Sequence, residues 1–197
     1  MEKKLKVEMA SRCQAKDTKG RPAHLMFQDE ARFGRMIRIR RCWAPAPMRP
    51  VVQNGYQREY TYLYGAVDTV TGEFEQMICD KMNSCRMSEF LARVSEAHKD
   101  RYIVMVVDGA SSHRSKDVVV PENIRLLPLP PYSPELNPCE NIWGRQRERL
   151  FPNRVYNSMK EVVKQRETGV PAFAENREML RKIAGREWAI MTISNAS

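Results

Sequence analysis

Six consecutive apolar residues, YIVMVV at positions 102–107, run straight into Asp108-Gly109, and no other feature restricts the folds open to this chain as strongly. A run without polar alternation is what a central strand covered on both faces requires, so helices must lie above and below it. The flanking signals agree. Residues 23–28 (AHLMFQ) form a second compact apolar run, a buried strand that ends at Asp29 and Glu30. Residues 60–67 and 73–78 have strand composition and read as a hairpin joined by Asp68 to Gly72. Between Ser84 and His98, Met87, Phe90, Leu91 and Val94 fall at i, i+3, i+4 and i+7, the stripe of an amphipathic helix. Residues 123–127 add a short strand. Strands, helix, strand, loop, short strand and helices in that order predict an α/β fold.

The stretch from Pro128 to Leu150 reverses its signals midway. Pro128, Pro130, Pro131 and Pro134 forbid a helix through its first half, because each lacks an N–H and biases the preceding residue to extended backbone. Asn137 is then a good N-cap, Pro138 suits the first helical position, and Ile142, Trp143 and Leu150 recur at roughly helical spacing. Glu140 is thereby placed in the first turn. There it fits a capping box, folded back onto the N–H of Asn137, as well as it fits an exposed functional carboxylate. Trp143 and Ile142 read as core residues of this helix. Farther on, Ser158 with Glu161 opens another helix, and residues 175–184 predict one more, with Gly169 and Pro171 separating the two. The expected organisation is a lead-in over 1–21, one catalytic α/β domain over 22–168 and a helical tail over 169–197.

Two of the three acids so far singled out, Asp29 and Asp108, follow strands, where open α/β sheets place their sites, and Glu140 begins a helix that can pack across them. Each has an ordinary reading: Asp29 as a surface strand end, Asp108-Gly109 as a turn, Glu140 as a cap. Taken together, three converging carboxylates would repel one another unless a hard divalent cation joins them. Mg²⁺, with Mn²⁺ as a substitute, suits such a set. Two ions roughly 3.5–4 Å apart would serve phosphodiester chemistry, one activating a water or a 3′-hydroxyl and the other stabilising the leaving oxygen.

The net charge of +9 over 197 residues points to a polyanionic partner, most simply nucleic acid. Arg32, Arg35, Arg38, Arg40, Arg41 and Arg49 surround Phe33 and Trp43 in a turn-rich segment that could track phosphates, or could be a solvated hairpin. Arg145, Arg147 and Arg149 on the Glu140 helix carry the same two readings. Five cysteines without a C-x-x-C pair indicate neither a zinc clip nor a disulfide framework and fit a reducing cytoplasm. The N-terminal MEKKLKVEMA has no apolar signal-peptide core, and no aliphatic run is long enough to span a bilayer. A cytoplasmic protein without a membrane partner is expected.

The segments FQDEARFGR, RRCWAPAPMRP, YLYGAVD, VMVVDGASSHRS and LPPYSPELNPCENIWGRQRERL, in that order over about residues 23–168, resemble the catalytic domain of the DDE transposases of bacterial insertion sequences related to mariner elements. YSPELNPCENIW carries most of the specificity. The resemblance implies an RNase H-like mixed sheet flanked by helices, dependence on divalent metal, and a catalytic, metal-binding trio of Asp29, Asp108 and Glu140. The interval from Asp108 to Glu140 is close to the spacing usual for that family. It also implies double-stranded DNA as substrate, transposon ends joined to a TA target, with self-association on DNA at the bacterial nucleoid. Arg32, Arg35, Arg38, Arg40, Arg41, His113, Arg114 and Arg145 are the candidate DNA contacts; His113 matches a family position but fits a local hydrogen-bonding role equally. Members of the family usually carry helix-turn-helix modules ahead of the catalytic domain, and about twenty residues before the first strand cannot hold them. The expectation is a catalytic portion alone, one frame of a split transposase or a decayed copy. Another RNase H-like nuclease, or a silent DNA-binding remnant, are the competing readings.

Overall fold

The computed structural model describes residues 18–35, 41–51, 57–109, 117–130, 133–151, 153 and 155–185. Five strands form one mixed sheet: β1 (Ala23–Gly34), β2 (Tyr60–Asp68), β3 (Phe74–Cys79), β4 (Tyr102–Val107) and β5 (Ile124–Pro128), in the order β3-β2-β1-β4-β5. β1, β2 and β3 pair antiparallel, whereas β4 runs parallel to β1 and β5 parallel to β4. Four helices are described: α1 (Ser84–Ala97), α2 (Cys139–Leu150), α3 (Met159–Glu175) and α4 (Arg177–Ala184). None of the described helices is long and apolar enough to cross a membrane.

Strand alternation divides the sheet into two apolar faces. Met26, Tyr64, Ala66, Met77, Ile103, Met105 and Val107 meet Met87, Phe90, Leu91 and Val94 of α1 in one core. Leu25, Phe27, Leu63, Val67, Val104 and Val106 meet Cys139, Ile142 and Trp143 of α2, Val170 and Phe173 of α3, and Leu180 and Ala184 of α4 in the other. β4 is buried at all six positions, as its unbroken apolar sequence requires of a strand between two helical layers. Pro128 closes β5, an edge strand, where a missing N–H leaves no ladder bond unmade.

Several expected boundaries move. β1 continues six residues beyond Gln28, because antiparallel pairing with β2 persists through Gly34↔Tyr60 after parallel pairing with β4 has ended at Phe27↔Val106. Arg32 and Phe33 are therefore strand residues and not part of an exposed turn. Gly169 and Pro171 do not separate two helices: α3 runs through both, and the break falls at Asn176, whose side chain caps α4 by accepting from the Met179 N–H. Gly169 is tolerated because a Cβ there would lie 2.3 Å from Leu150 Cδ2, so the helix needs a bare backbone to pack against α2. At Ser158 the cap forms as expected, with Oγ accepting from Glu161 N–H at 3.4 Å, while Glu161 reaches back to Asn157 N–H at 3.3 Å and not to Ser158. Among the described residues a 3₁₀ turn, Pro134–Leu136, precedes α2.

Arg166, unforeseen from the sequence, is fully buried on α3. Its guanidinium donates to Thr61 Oγ1 (3.0 Å) and Tyr62 O (3.2 Å) and lies 4.9 Å from the Phe33 ring centroid, tying α3 to the β1/β2 pair. Burial lowers its pKa to about 10. The C-terminal helices are thus integral to the second core. Leu180→Ala is expected to lower global stability by about 2–5 kcal/mol in a single cooperative transition, measured by chemical denaturation; a second, separate transition would show α4 to be an independent appendage.

Candidate active site

The site forms where β1, β4 and α2 meet. Parallel pairing of β1 with β4 ends at Phe27↔Val106; Asp29 lies two residues farther along β1, and Asp108 follows the last residue of β4. Both share the parity of residues that face α2: Leu25 and Phe27 on β1, Val104 and Val106 on β4. Asp29 does not lie past a strand end, as the sequence implied. It sits inside β1 opposite Gly65 of β2, just beyond the point where β4 stops pairing.

Helix α2 is fastened to this end of β1 by three side chains. Asn137 Nδ2 donates to Gln28 O at 3.0 Å, Cys139 Sγ donates to Phe27 O at 3.0 Å, and Trp143 Nε1 donates to Asp29 Oδ2 at 2.9 Å. Asn137 also accepts from the Cys139 N–H through Oδ1 at 3.1 Å. The cap position itself belongs to Pro138 and not, as expected, to Asn137. The capping-box alternative for Glu140 is not realised, since the Asn137 N–H it would accept from is donated to Pro134 O at 2.9 Å. Glu140 is exposed at the start of α2, next to Asp29. Trp143, expected as a core residue, is core and polar at once: it is 1% exposed, yet its N–H reaches a carboxylate. A buried indole needs such a partner, and that requirement is the only sequence signal that could have revealed the contact.

Asp29 is 7% exposed. Burial, then the nearby charge of Glu140, raise its pKa to about 7 against the opposing hydrogen bond from Trp143. Burial also pushes the Cys139 thiol well up, with the charge of Asp29 adding to it. Such a carboxylate is held between proton and cation. The donor chemistry, oxygen only and anionic, fits a hard divalent ion. Among the described residues no three His, Cys, Asp or Glu side chains stand together so as to hold a metal ion; Asp29 and Glu140 feel each other's charge, and Asp108 follows the end of the neighbouring strand β4. Mg²⁺ needs only one or two carboxylates, the rest of its shell being water and substrate oxygen.

The arginines separate. Arg32 is exposed and stacked over the Tyr60 ring, 4.3 Å from its centroid. Arg35 leaves the expected phosphate-tracking set: it donates to Tyr156 O (3.0 Å) and Glu59 Oε2 (2.9 Å), which hold the β1/β2 end against the segment before α3. Arg41 is exposed. Arg145 pairs with Glu148 at 2.8 Å and lines, with Glu140, Gly144 and Lys182, a cleft of about 720 Å³ between α2 and α4. Arg38, Arg40, His113 and Arg114 lie outside the described residues.

This arrangement defines a mixed α/β domain of RNase H-like fold with a carboxylate site at the junction of its two central parallel strands. Residues 24–163 match the family described as DDE superfamily endonuclease, and the chain belongs to that family. A protein of Sinorhizobium fredii (strain NBRC 101917 / NGR234), the uncharacterized protein y4pE/y4sA, is 30% identical over 131 residues, 66% of this chain and 97% of that protein. Among solved structures, the chain is similar to a pre-cleavage Mos1 transpososome (TM-score 0.63, 16% identity, 99% of this chain, 61% of that one). It is also similar to the Mos1 strand transfer complex (TM-score 0.57, 17% identity, 94% and 61%) and to the mariner Mos1 paired end complex with Mg (TM-score 0.56, 15% identity, 88% and 56%). The chain spans 61% of the length of the first two of these Mos1 chains.

Asp29 generates a pH dependence with a defined sign. Its folded-state pKa of about 7 lies above the ordinary 3.8, so between those values the folded protein holds a proton that the unfolded chain has released. In chelator, stability should fall as pH rises from about 4 to about 7, by on the order of a few kcal/mol. Asp29→Asn should flatten that slope and be the more stable protein at about pH 8. Denaturant midpoints across this range check it; parallel curves for the two proteins would show that Asp29 is not held near neutrality.

Proposed function

We propose that this chain is the catalytic domain of a DNA transposase of the mariner-related bacterial insertion sequences, cutting transposon ends and joining their 3′-hydroxyls to a TA target. The observation that carries the reading is the approach of Glu140, at the start of α2, to the buried Asp29 of β1, with Asp108 just past the end of the neighbouring β4, in a chain of the DDE endonuclease family. Paired end complexes of Mos1 with Mg and with Mn support divalent metal as the cofactor. Basic charge supports duplex DNA as the partner, and the transpososome assemblies of Mos1 support self-association on DNA. The cytoplasm of a bacterium, at the nucleoid, is the corresponding place of action.

Two Mg²⁺ ions, or Mn²⁺ in their place, would be held by Asp29, Asp108 and Glu140 and supply activation of the attacking hydroxyl and neutralisation of the leaving oxygen. The chain's own residues do the rest. Asp29, desolvated and fixed by Trp143, offers a carboxylate with little freedom to reorient. Glu140 is exposed and approachable from solvent, which suits a group that must face a bulky duplex. Arg32 and Arg41 are exposed cations available to phosphates, which position a duplex without reading its sequence.

Asp108→Asn should abolish nicking of duplex DNA and lower Mn²⁺ affinity measured by calorimetry, and Glu140→Gln should do the same with a denaturation midpoint no lower than the wild type's. Nicking that survives both substitutions would sink the catalytic assignment and favour a silent DNA-binding remnant. DNA binding by this chain should be weak, nonspecific and lost by orders of magnitude between roughly 50 and 200 mM salt through counterion release. Fluorescence anisotropy on a terminal repeat and on a scrambled duplex should give overlapping salt titrations; a preference of about 4 kcal/mol or more for the repeat would mean that the chain itself reads bases.

A further inference from the structure

Gly65 sits directly opposite Asp29 in the β1/β2 ladder. Glycine in a strand interior weakens the strand and commonly marks the close approach of another group. Here that group is Trp143: a Cβ on Gly65 would lie 2.4 Å from the indole Cη2 and 2.9 Å from Phe74 Cζ. Phe74 meets the same indole edge-on, with ring centroids 5.9 Å apart. The indole is thus seated in a slot with a floor of bare backbone at Gly65 and a side wall at Phe74. From that seat its N–H reaches Asp29 Oδ2 at 2.9 Å.

An aspartate's terminal torsion is broad, so burial alone leaves the rotation of its carboxylate loosely set. The Trp143 N–H on Oδ2, with the backbone N–H of Glu30 as a second donor to the carboxylate, removes that freedom. Carboxylates that ligate metals depend on such outer partners for their orientation. Filling the space beside Asp29 would need only an apolar ring; the donor atom aimed at Oδ2 is what exceeds packing.

We propose that Gly65 and Trp143 together form a positioning device for Asp29, in which the missing side chain at 65 admits the indole and the indole N–H turns the carboxylate so that its other oxygen is presented to a divalent cation. This rests on the reading of Asp29 as a metal-bearing carboxylate. Trp143 touches no reacting atom and is a positioning residue.

The test replaces Trp143 by β-(3-benzothienyl)alanine through site-specific incorporation, which keeps the shape of the indole and substitutes sulfur for the N–H. Gly65→Ala is a second variant, and Asp108→Asn serves as the reference for loss of the metal site. Each is titrated with Mn²⁺ by calorimetry, and nicking is measured against duplex concentration. The benzothienyl variant should bind Mn²⁺ about 10-fold more weakly than the wild type and show a lower kcat with an unchanged KM for duplex. Gly65→Ala, which displaces the whole ring, should lose at least as much affinity. Wild-type Mn²⁺ affinity in the benzothienyl variant, alongside loss of affinity in Asp108→Asn, overturns the positioning role while leaving the metal site standing. Wild-type affinity in all three overturns the metal-site reading beneath it. Because the isostere preserves packing, a Gly65→Ala protein that does not fold leaves the benzothienyl result decisive.

Discussion

The architecture depends on the attachment of the start of α2 to the middle of β1. Asn137, just ahead of the helix cap, and Cys139 hold the carbonyls of Gln28 and Phe27, and Trp143 holds the side chain of Asp29, so that three consecutive strand residues are each gripped by α2 or the residue leading into it. Backbone carbonyls buried under a helix must find donors or incur a desolvation penalty of about 1–3 kcal/mol each. Asn137 and Cys139, on either side of the Pro138 cap, supply those donors. The position of Glu140 follows, because a residue one step after Cys139 has nowhere to go except beside Asp29.

That placement sets two like charges against each other in a poorly solvated corner. Burial first, and then the charge of Glu140, favour a proton on Asp29, as its raised pKa records. The rest of the fold keeps them together: two apolar cores, one on each face of the sheet, fix β1 and α2 independently of the charges between them. Carboxylates held this close by a rigid frame are what the proposed cation site would require. Arg166, a buried cation on α3, helps to hold that frame by engaging Thr61 and Tyr62 of β2 and the Phe33 ring of β1.

Much of this was legible from the chain alone where a local rule governs. The unbroken apolar run of β4, the i, i+3, i+4, i+7 stripe of α1 and the Asp68–Gly72 hairpin turn appear where their sequences put them, each decided by contacts within a few residues. Misplaced features were those in which a distant partner outvoted a local preference. β1 outran its apolar segment because β2 continued to pair with it; α3 ran through Gly169 and Pro171 because Leu150, Val170 and Phe173 pack there; Arg35 was drawn in by Glu59 and Tyr156.

The sequence by itself determined the alternation of strands and helices, the three acids and the motif order that ties them to one family, because periodicity, turn chemistry and residue type are local properties. Only the tertiary structure decided that Asp29 lies inside a strand and not beyond it, that Glu140 is free of its cap, and that Trp143 points its N–H at Asp29 through a gap left by Gly65. Those outcomes depend on which strand pairs with which and on how a helix crosses them. Residues 29, 65 and 143 become neighbours only once the sheet has closed and α2 has packed on it, and no pattern along the chain encodes that meeting.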